Sequence, residues 1–160
     1  MNVIFLDIDG VLNGDDTVER APSGCFFVDE VRMARLVRIT KSTGAKLVLT
    51  SSWRRGWSDI ENGRTETKDT LDFIALKTAL YAHGLELIGK TPESEEDYRG
   101  KEIQEWLDKW DGEPVESMVI LDDDGDMEPF MTKLVLTSFS DGLQDADADR
   151  AVAILKDSAL

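Results

Sequence analysis

A three-layer α/β fold around a mainly parallel five-stranded sheet is the fold class this sequence predicts. Short apolar runs recur five times, and amphipathic stretches separate them. Runs that are continuous rather than alternating suit strands covered on both faces, as in a parallel sheet. Glycines follow two of the amphipathic stretches, where a helix needs a left-handed stop. Strands alternating with helices in this order imply right-handed crossovers.

Val3-Ile4-Phe5-Leu6 is the first expected strand, apolar and partly β-branched. Asp29 to Thr43 follows as a helix, with Val31, Leu36, Val37 and Ile39 among basic residues and Gly44 behind it. Lys46 to Thr50 is the second strand. Thr70 to His83 is the next helix, with Leu71, Phe73, Ile74, Leu76, Leu80 and Tyr81, closed by Gly84. Leu85 to Gly89 is the third strand. Lys101 to Trp110 places Ile103, Trp106 and Leu107 at helical spacing, and Trp106 and Trp110 lie four apart as core residues do. Met118 to Leu121 and Leu134 to Leu136 complete the sheet. Asp145 to Lys156 is a last helix with Ala151, Val152, Ile154 and Leu155. Asn13 to Phe27 and Trp53 to Lys68 fit neither element, and Ser94 to Asp97 reads as a solvated acidic loop.

The expected organisation is one domain over residues 1–160, which is the usual size of a single domain. With 41% hydrophobic residues the chain can bury a real core. Its 33 acidic against 18 basic residues leave a net charge of −15. That argues against a general nucleic-acid or anionic-membrane binder, which needs basic patches. No apolar run reaches the roughly 20 residues of a membrane span. The first residues, Met1 to Asp7, lack a basic region and are not a signal peptide. Cys25 is the only cysteine, so an internal disulfide and a cysteine zinc cage are both excluded. A lone thiol fits a cytoplasmic location.

In a doubly wound sheet, ligands bind beyond the carboxyl ends of the strands. There the sequence places Asp7-Ile8-Asp9-Gly10, then Thr50-Ser51-Ser52-Trp53-Arg54, then Asp122-Asp123-Asp124-Gly125-Asp126. Period-two alternation aims Asp7 and Asp9 the same way. Carboxylates gathered at strand ends repel one another and lose solvation. A divalent cation relieves both costs, and an all-oxygen ligand set favours a hard ion such as Mg²⁺ over zinc. An EF-hand loop does not fit. Glycine falls at the fourth position of the Asp122 register rather than the sixth, and Lys133 stands where the twelfth-position glutamate belongs.

Phe5-Leu6-Asp7-Ile8-Asp9-Gly10-Val11-Leu12 resembles the first motif of the haloacid dehalogenase-like (HAD) superfamily of phosphohydrolases. Leu47-Val48-Leu49-Thr50-Ser51 is similar to the second motif, and Arg99 or Lys101, opening a helix, to the third. Val119-Ile120-Leu121-Asp122-Asp123 is similar to the fourth. More narrowly, Ser51-Ser52-Trp53-Arg54, Arg99-Gly100 with Glu102-Ile103, and Asp141-Gly142-Leu143 resemble the small HAD domain of bacterial and phage RNA-repair proteins. The resemblance implies a Rossmannoid fold and a phosphoaspartyl mechanism. Asp7 is then the nucleophile and Asp9 the general acid and base. Asp7, the Asp9 backbone carbonyl, and Asp122 or Asp123 hold Mg²⁺, with Asp123 the direct ligand. Thr50 or Ser51 binds a phosphoryl oxygen, and Arg99 or Lys101 balances its charge.

Arg54 is a further candidate for substrate phosphate, because its fork suits bidentate binding. The competing reading is an ion-paired loop arginine. His83, ahead of Gly84, reads as a cation at a helix end. Trp53 and Trp57 either stack a base or pack their loop. Members of the superfamily often carry a cap domain after the first motif. Here residues 13–27 leave room for a short flap and no folded cap. The implied activity is a phosphomonoester hydrolase acting on a phosphorylated small molecule or a nucleic-acid end, without stable duplex binding. A phosphotransferase of the same mechanism and a catalytically idle binding module are the alternatives.

Overall fold

The computed structural model describes residues 1–157, so the last three residues of the expected domain, 158–160, lie outside the described residues. The fold is a three-layer α/β Rossmannoid. Five strands form one all-parallel sheet: β1 (Asn2–Leu6), β2 (Lys46–Leu49), β3 (Leu87–Lys90), β4 (Ser117–Asp122) and β5 (Leu134–Leu136). Their order is β3-β2-β1-β4-β5. Five α-helices connect them: α1 (Glu30–Thr43), α2 (Arg54–Glu61), α3 (Lys68–Ala82), α4 (Arg99–Lys109) and α5 (Asp145–Lys156).

The interiors of the central strands are apolar because both faces are covered, while the edge strand β3 is half-buried and ends in Lys90. Ile4 and Leu6 of β1 point into one core, with Leu36 of α1, Leu76 of α3 and Leu155 of α5. Val3 and Phe5 point into the other, with Ile103 and Trp106 of α4. Phe5 meets Trp106 edge to face at 5.5 Å, a geometry that adds to simple area burial. Trp106 and Trp110 stack at 4.9 Å; of the two expected core residues, Trp106 is buried and Trp110 packs half-buried against it.

The segment that fits neither element in sequence, 53–68, contains helix α2. Trp53, Trp57 and Ile60 recur at helical spacing inside its polar composition, and all three turn toward the core. Trp57 stacks on Phe73 of α3 at 5.3 Å. The two helices approach so closely that a Cβ at Gly56 would lie 1.9 Å from the Asp69 carbonyl oxygen. Helix ends differ by a residue or two from the expected ones. Helix α1 begins after Asp29, whose carboxylate caps the Arg32 N–H, and α4 begins at Arg99.

Strands β1 and β4 lie side by side at the centre of the sheet, so their carboxyl ends open together. Strand β2 flanks β1 on the other side. The three motif-bearing loops therefore converge on one edge, where an α/β sheet presents its ligand site.

Candidate active site

Strand β1 delivers Asp7 with its backbone N–H on the Leu121 carbonyl at 3.0 Å. Its side chain is buried. Strand β4 delivers Asp122, fully buried, and then Asp123. One carboxylate oxygen from each of Asp7, Asp122 and Asp123 lies within 4.8 Å of the others. Gly10 makes room for this cluster. Its φ is +77°, and a Cβ there would stand 2.4 Å from Asp123 Oδ2. A side chain at position 10 meets both backbone strain and a clash.

Arg99 reaches the cluster from the first turn of α4. Its Nη1 donates to Asp122 Oδ2 at 2.6 Å and pairs with Asp7 Oδ1 at 3.1 Å. Burial opposes the guanidinium charge, but Asp7 and Asp122 outweigh it and hold Arg99 firmly protonated. Burial raises the Asp7 carboxyl above the ordinary range, against the pull of Arg99. Burial and the Asp7 charge push Asp122 up to about 8. Fully ionised, three carboxylates and one guanidinium sum to −3 + 1 = −2. A divalent cation balances that sum, and the donors facing it are all oxygens, so the residues present fit a hard metal ion.

Asp9 is held apart from this cluster. Asn13 Nδ2 donates to its Oδ1 at 3.0 Å, and the Trp53 indole Nε1 donates to its Oδ2 at 3.1 Å. Asn13 also accepts the Gly10 N–H at 2.9 Å, which shapes the turn. Trp53 is 7% exposed and packs against Phe27 at 6.1 Å, so it presents no open face for a base. The sequence position of Trp53 suggests only a stacking or packing role. Its role as a donor to Asp9 has no signature in one dimension, since 44 positions separate the two residues.

The hydroxyl residues after β2 separate clearly. Thr50 Oγ1 is buried with no hydrogen-bond partner among the described residues. Ser51 Oγ accepts the Trp53 backbone N–H at 3.2 Å. An orphaned buried hydroxyl is costly to leave unmet. At a strand end beside Asp7, it is a donor waiting for an oxygen.

Two of the sequence-expected phosphate contacts lie elsewhere. Lys101 is exposed and ion-paired to Glu96 at the surface. Position 101 falls two residues after Arg99, so their side chains leave a helix in different directions. Arg54 is buried, donating to both Glu102 carboxylate oxygens at 3.1 and 3.0 Å and to Thr91 Oγ1 at 2.8 Å. It also donates to the Thr50 carbonyl, which ties it to the loop rather than to the open site. His83 caps α3 as its position predicts, bonding the Ala79 carbonyl and Glu30, and these partners raise its pKa. Asp124 is exposed, outside the cluster.

No helix among the described residues is long and apolar enough to cross a membrane. A family model described as the HAD domain in Swiss Army Knife RNA repair proteins matches residues 3–148. No curated protein and no solved structure matches the chain. The match spans all five strands and every loop that bears a clustered acid, and on it the chain belongs to the HAD domain family of Swiss Army Knife RNA repair proteins.

Proposed function

We propose that this chain is a Mg²⁺-dependent phosphomonoester hydrolase working through an aspartyl-phosphate, on nucleotide or nucleic-acid end phosphates. The observation that carries the reading is the strand-end cluster of Asp7, Asp122 and Asp123, held by one arginine. Asp7, Asp123 and the Asp9 backbone carbonyl would hold Mg²⁺, with Asp122 supporting from behind. When bound, the ion neutralises the cluster and draws charge from the phosphoryl oxygens.

Asp7 attacks phosphorus in line, forming an O–P bond as the ester O–P bond breaks. Arg99 fixes the Asp7 carboxylate and offsets charge on the phosphoryl group. Thr50 Oγ1 donates to a phosphoryl oxygen, which gives its orphaned hydroxyl a partner. Asp9 protonates the departing alkoxide and then takes a proton from the water that attacks the aspartyl-phosphate. That second step releases inorganic phosphate and restores Asp7. Ser51 stands beside Thr50 as a structural hydroxyl in this scheme. Lys101 and Arg54 take no part in phosphate contact, because each is committed to an acid elsewhere.

We read residues 1–160 as one domain covered, among the described residues, by the short segment 13–27, without a folded cap. The partner is a terminal phosphate rather than a duplex, because a net charge of −15 repels long polyanions. The single thiol fits a cytoplasmic location. The test is direct. Asp7→Asn should abolish Mg²⁺-dependent phosphate release from a generic aryl phosphate. Full turnover by that variant would sink the reading.

A further inference from the structure

We propose that the cavity beside Asp9 is the leaving-group subsite of this phosphatase, and that it grips the sugar–phosphate backbone of a strand end without reading its base. The inference rests on the phosphatase reading and deepens it.

In-line displacement places the leaving oxygen opposite Asp7 across phosphorus. The residue that protonates that oxygen must stand beside the leaving group. Asp9 lines a cavity of about 330 Å³, while Asp7, Asp122 and Asp123 do not. Four other surface hollows contain none of the clustered acids. The volume lies near the lower end of the roughly 300–1,000 Å³ typical of small-molecule sites, which suits one sugar–phosphate unit.

The chemistry of the walls selects among leaving groups. Ser52, Asp69 and Asp72 line the space, and a hydroxyl and carboxylates are the side-chain types that pair with sugar hydroxyls. Asp72 already accepts the Ser23 N–H at 2.9 Å and the Ser23 hydroxyl at 2.6 Å, so the flap and α3 form one continuous wall. Arg55 and Lys68 add two cations. Arg55 is 61% exposed and makes only a 3.5 Å contact with Glu93, and Lys68 is exposed with no ion-pair partner among the described residues. Three carboxylates, Asp9, Asp69 and Asp72, also line the cavity, so the two cations attract a second, neighbouring phosphate at the exposed rim, where Arg55 and Lys68 stand, rather than inside it.

What the cavity lacks is equally specific. Sequence-tolerant single-strand binders hold bases on open aromatic faces. Trp53 lines the wall but is packed on Phe27 with its N–H on Asp9. Trp57 is stacked on Phe73. The cavity therefore offers backbone contacts, which position a strand, and no base platform, which would read one.

The experiment compares kcat/KM for three substrates: a short oligonucleotide with a terminal phosphomonoester (at either end), the matching mononucleoside monophosphate, and the oligonucleotide with an abasic terminal sugar. The oligonucleotide should exceed the mononucleoside by at least about tenfold, and the abasic substrate should stay within about threefold of the intact one. Arg55→Glu with Lys68→Glu should erase that preference, and the milder Arg55→Ala with Lys68→Ala should lower the salt slope by about one. Both positions are exposed, and thermal unfolding verifies that the variants fold. No oligonucleotide preference, a preference that survives both charge reversals, or a loss above about tenfold on removing the base would overturn the inference. Those results leave phosphatase activity standing. Failure to hydrolyse even an aryl phosphate would instead remove the phosphatase reading, and the subsite with it.

Discussion

Two arginines lie near strand ends, Arg54 buried and Arg99 half-buried, and their surroundings answer them differently. Arg54 meets Glu102 through both carboxylate oxygens, and the pair is 5% and 1% exposed. Glu93 also lies 3.8 Å from Arg54 and is shared with Arg55, so two cations face two acids, and Glu102 also accepts the Ser94 N–H. Arg99 faces Asp7 and Asp122 with Asp123 alongside, and the local sum is negative. The first arrangement is balanced in charge without a ligand, though Arg54 Nε makes no hydrogen bond among the described residues. The second is complete only with something positive added. Charge imbalance, rather than burial or the presence of an arginine, separates the site from the scaffold.

Breaking the balanced pair is the harshest test of that distinction. Arg54→Ala leaves Glu102 charged in the interior, and chemical denaturation should show a loss of about 3–5 kcal/mol. Arg99→Ala should cost clearly less stability, because Asp122 has a raised pKa and can take a proton. Its damage should appear in kcat/KM, reduced about 10²–10³-fold. Equal stability losses in the two variants would erase the contrast.

Mg²⁺ should sharpen it from the other side. At about 100 times its Kd, the ion should stabilise the fold by about 2.7 kcal/mol, read as a rise in Tm. Asp123→Asn should lose most of that rise. Glu102→Gln should keep the rise, though from a lower starting Tm.

Trp53→Phe tests how far the site extends beyond the acids. It removes one N–H donor from Asp9 and keeps most of the packing on Phe27. With an alkyl phosphate, kcat/KM should fall about tenfold, equivalent to about 1.4 kcal/mol. With an activated aryl phosphate, whose leaving group departs without a proton, the fall should be under about threefold. Equal losses on both would make Trp53 a packing residue only.

His83 supplies the smallest effect. Its partners raise its pKa above the unfolded value of 6.5. The stabilisation is therefore fully present below pH 6.5 and is lost as pH rises through the folded value. Wild type should lose about 0.3–0.5 kcal/mol across that window relative to His83→Gln, because the group is a screened surface cation at a helix end. Denaturation midpoints at pH 6 and pH 8.5 measure it.

The sheet was legible because burial on both faces writes continuous apolar runs, and β5 matches its expected bounds. The acids were legible because the strands end where they begin. Helix α2 was not, since its two core-facing residues, Trp57 and Ile60, are diluted by arginine, glycine, serine and aspartate. The side-chain partners were not legible either. Thr50 and Ser51 look alike in sequence, and only the Trp53 N–H on Ser51 Oγ tells them apart. Arg54 and Arg99 are the same residue type after the same kind of strand. Glu102 and Asp122 decide their fates from across the fold.

Gly10 has a consequence for the order in which the molecule is built. The space above its α-carbon is filled by Asp123, and its carbonyl accepts the Thr137 hydroxyl at 2.5 Å. The turn after β1 is thus shaped by residues from the last third of the chain, through the pairing of Asn2 with Ser117 and its neighbours. Contacts that distant in sequence require loop closure before they stabilise anything, and they form late. A nascent chain carrying only β1, α1 and β2 holds Asp7 without its partners. The proposed cation site would be assembled only once β4 has docked, so on that reading affinity for the ion would be a measure of finished folding.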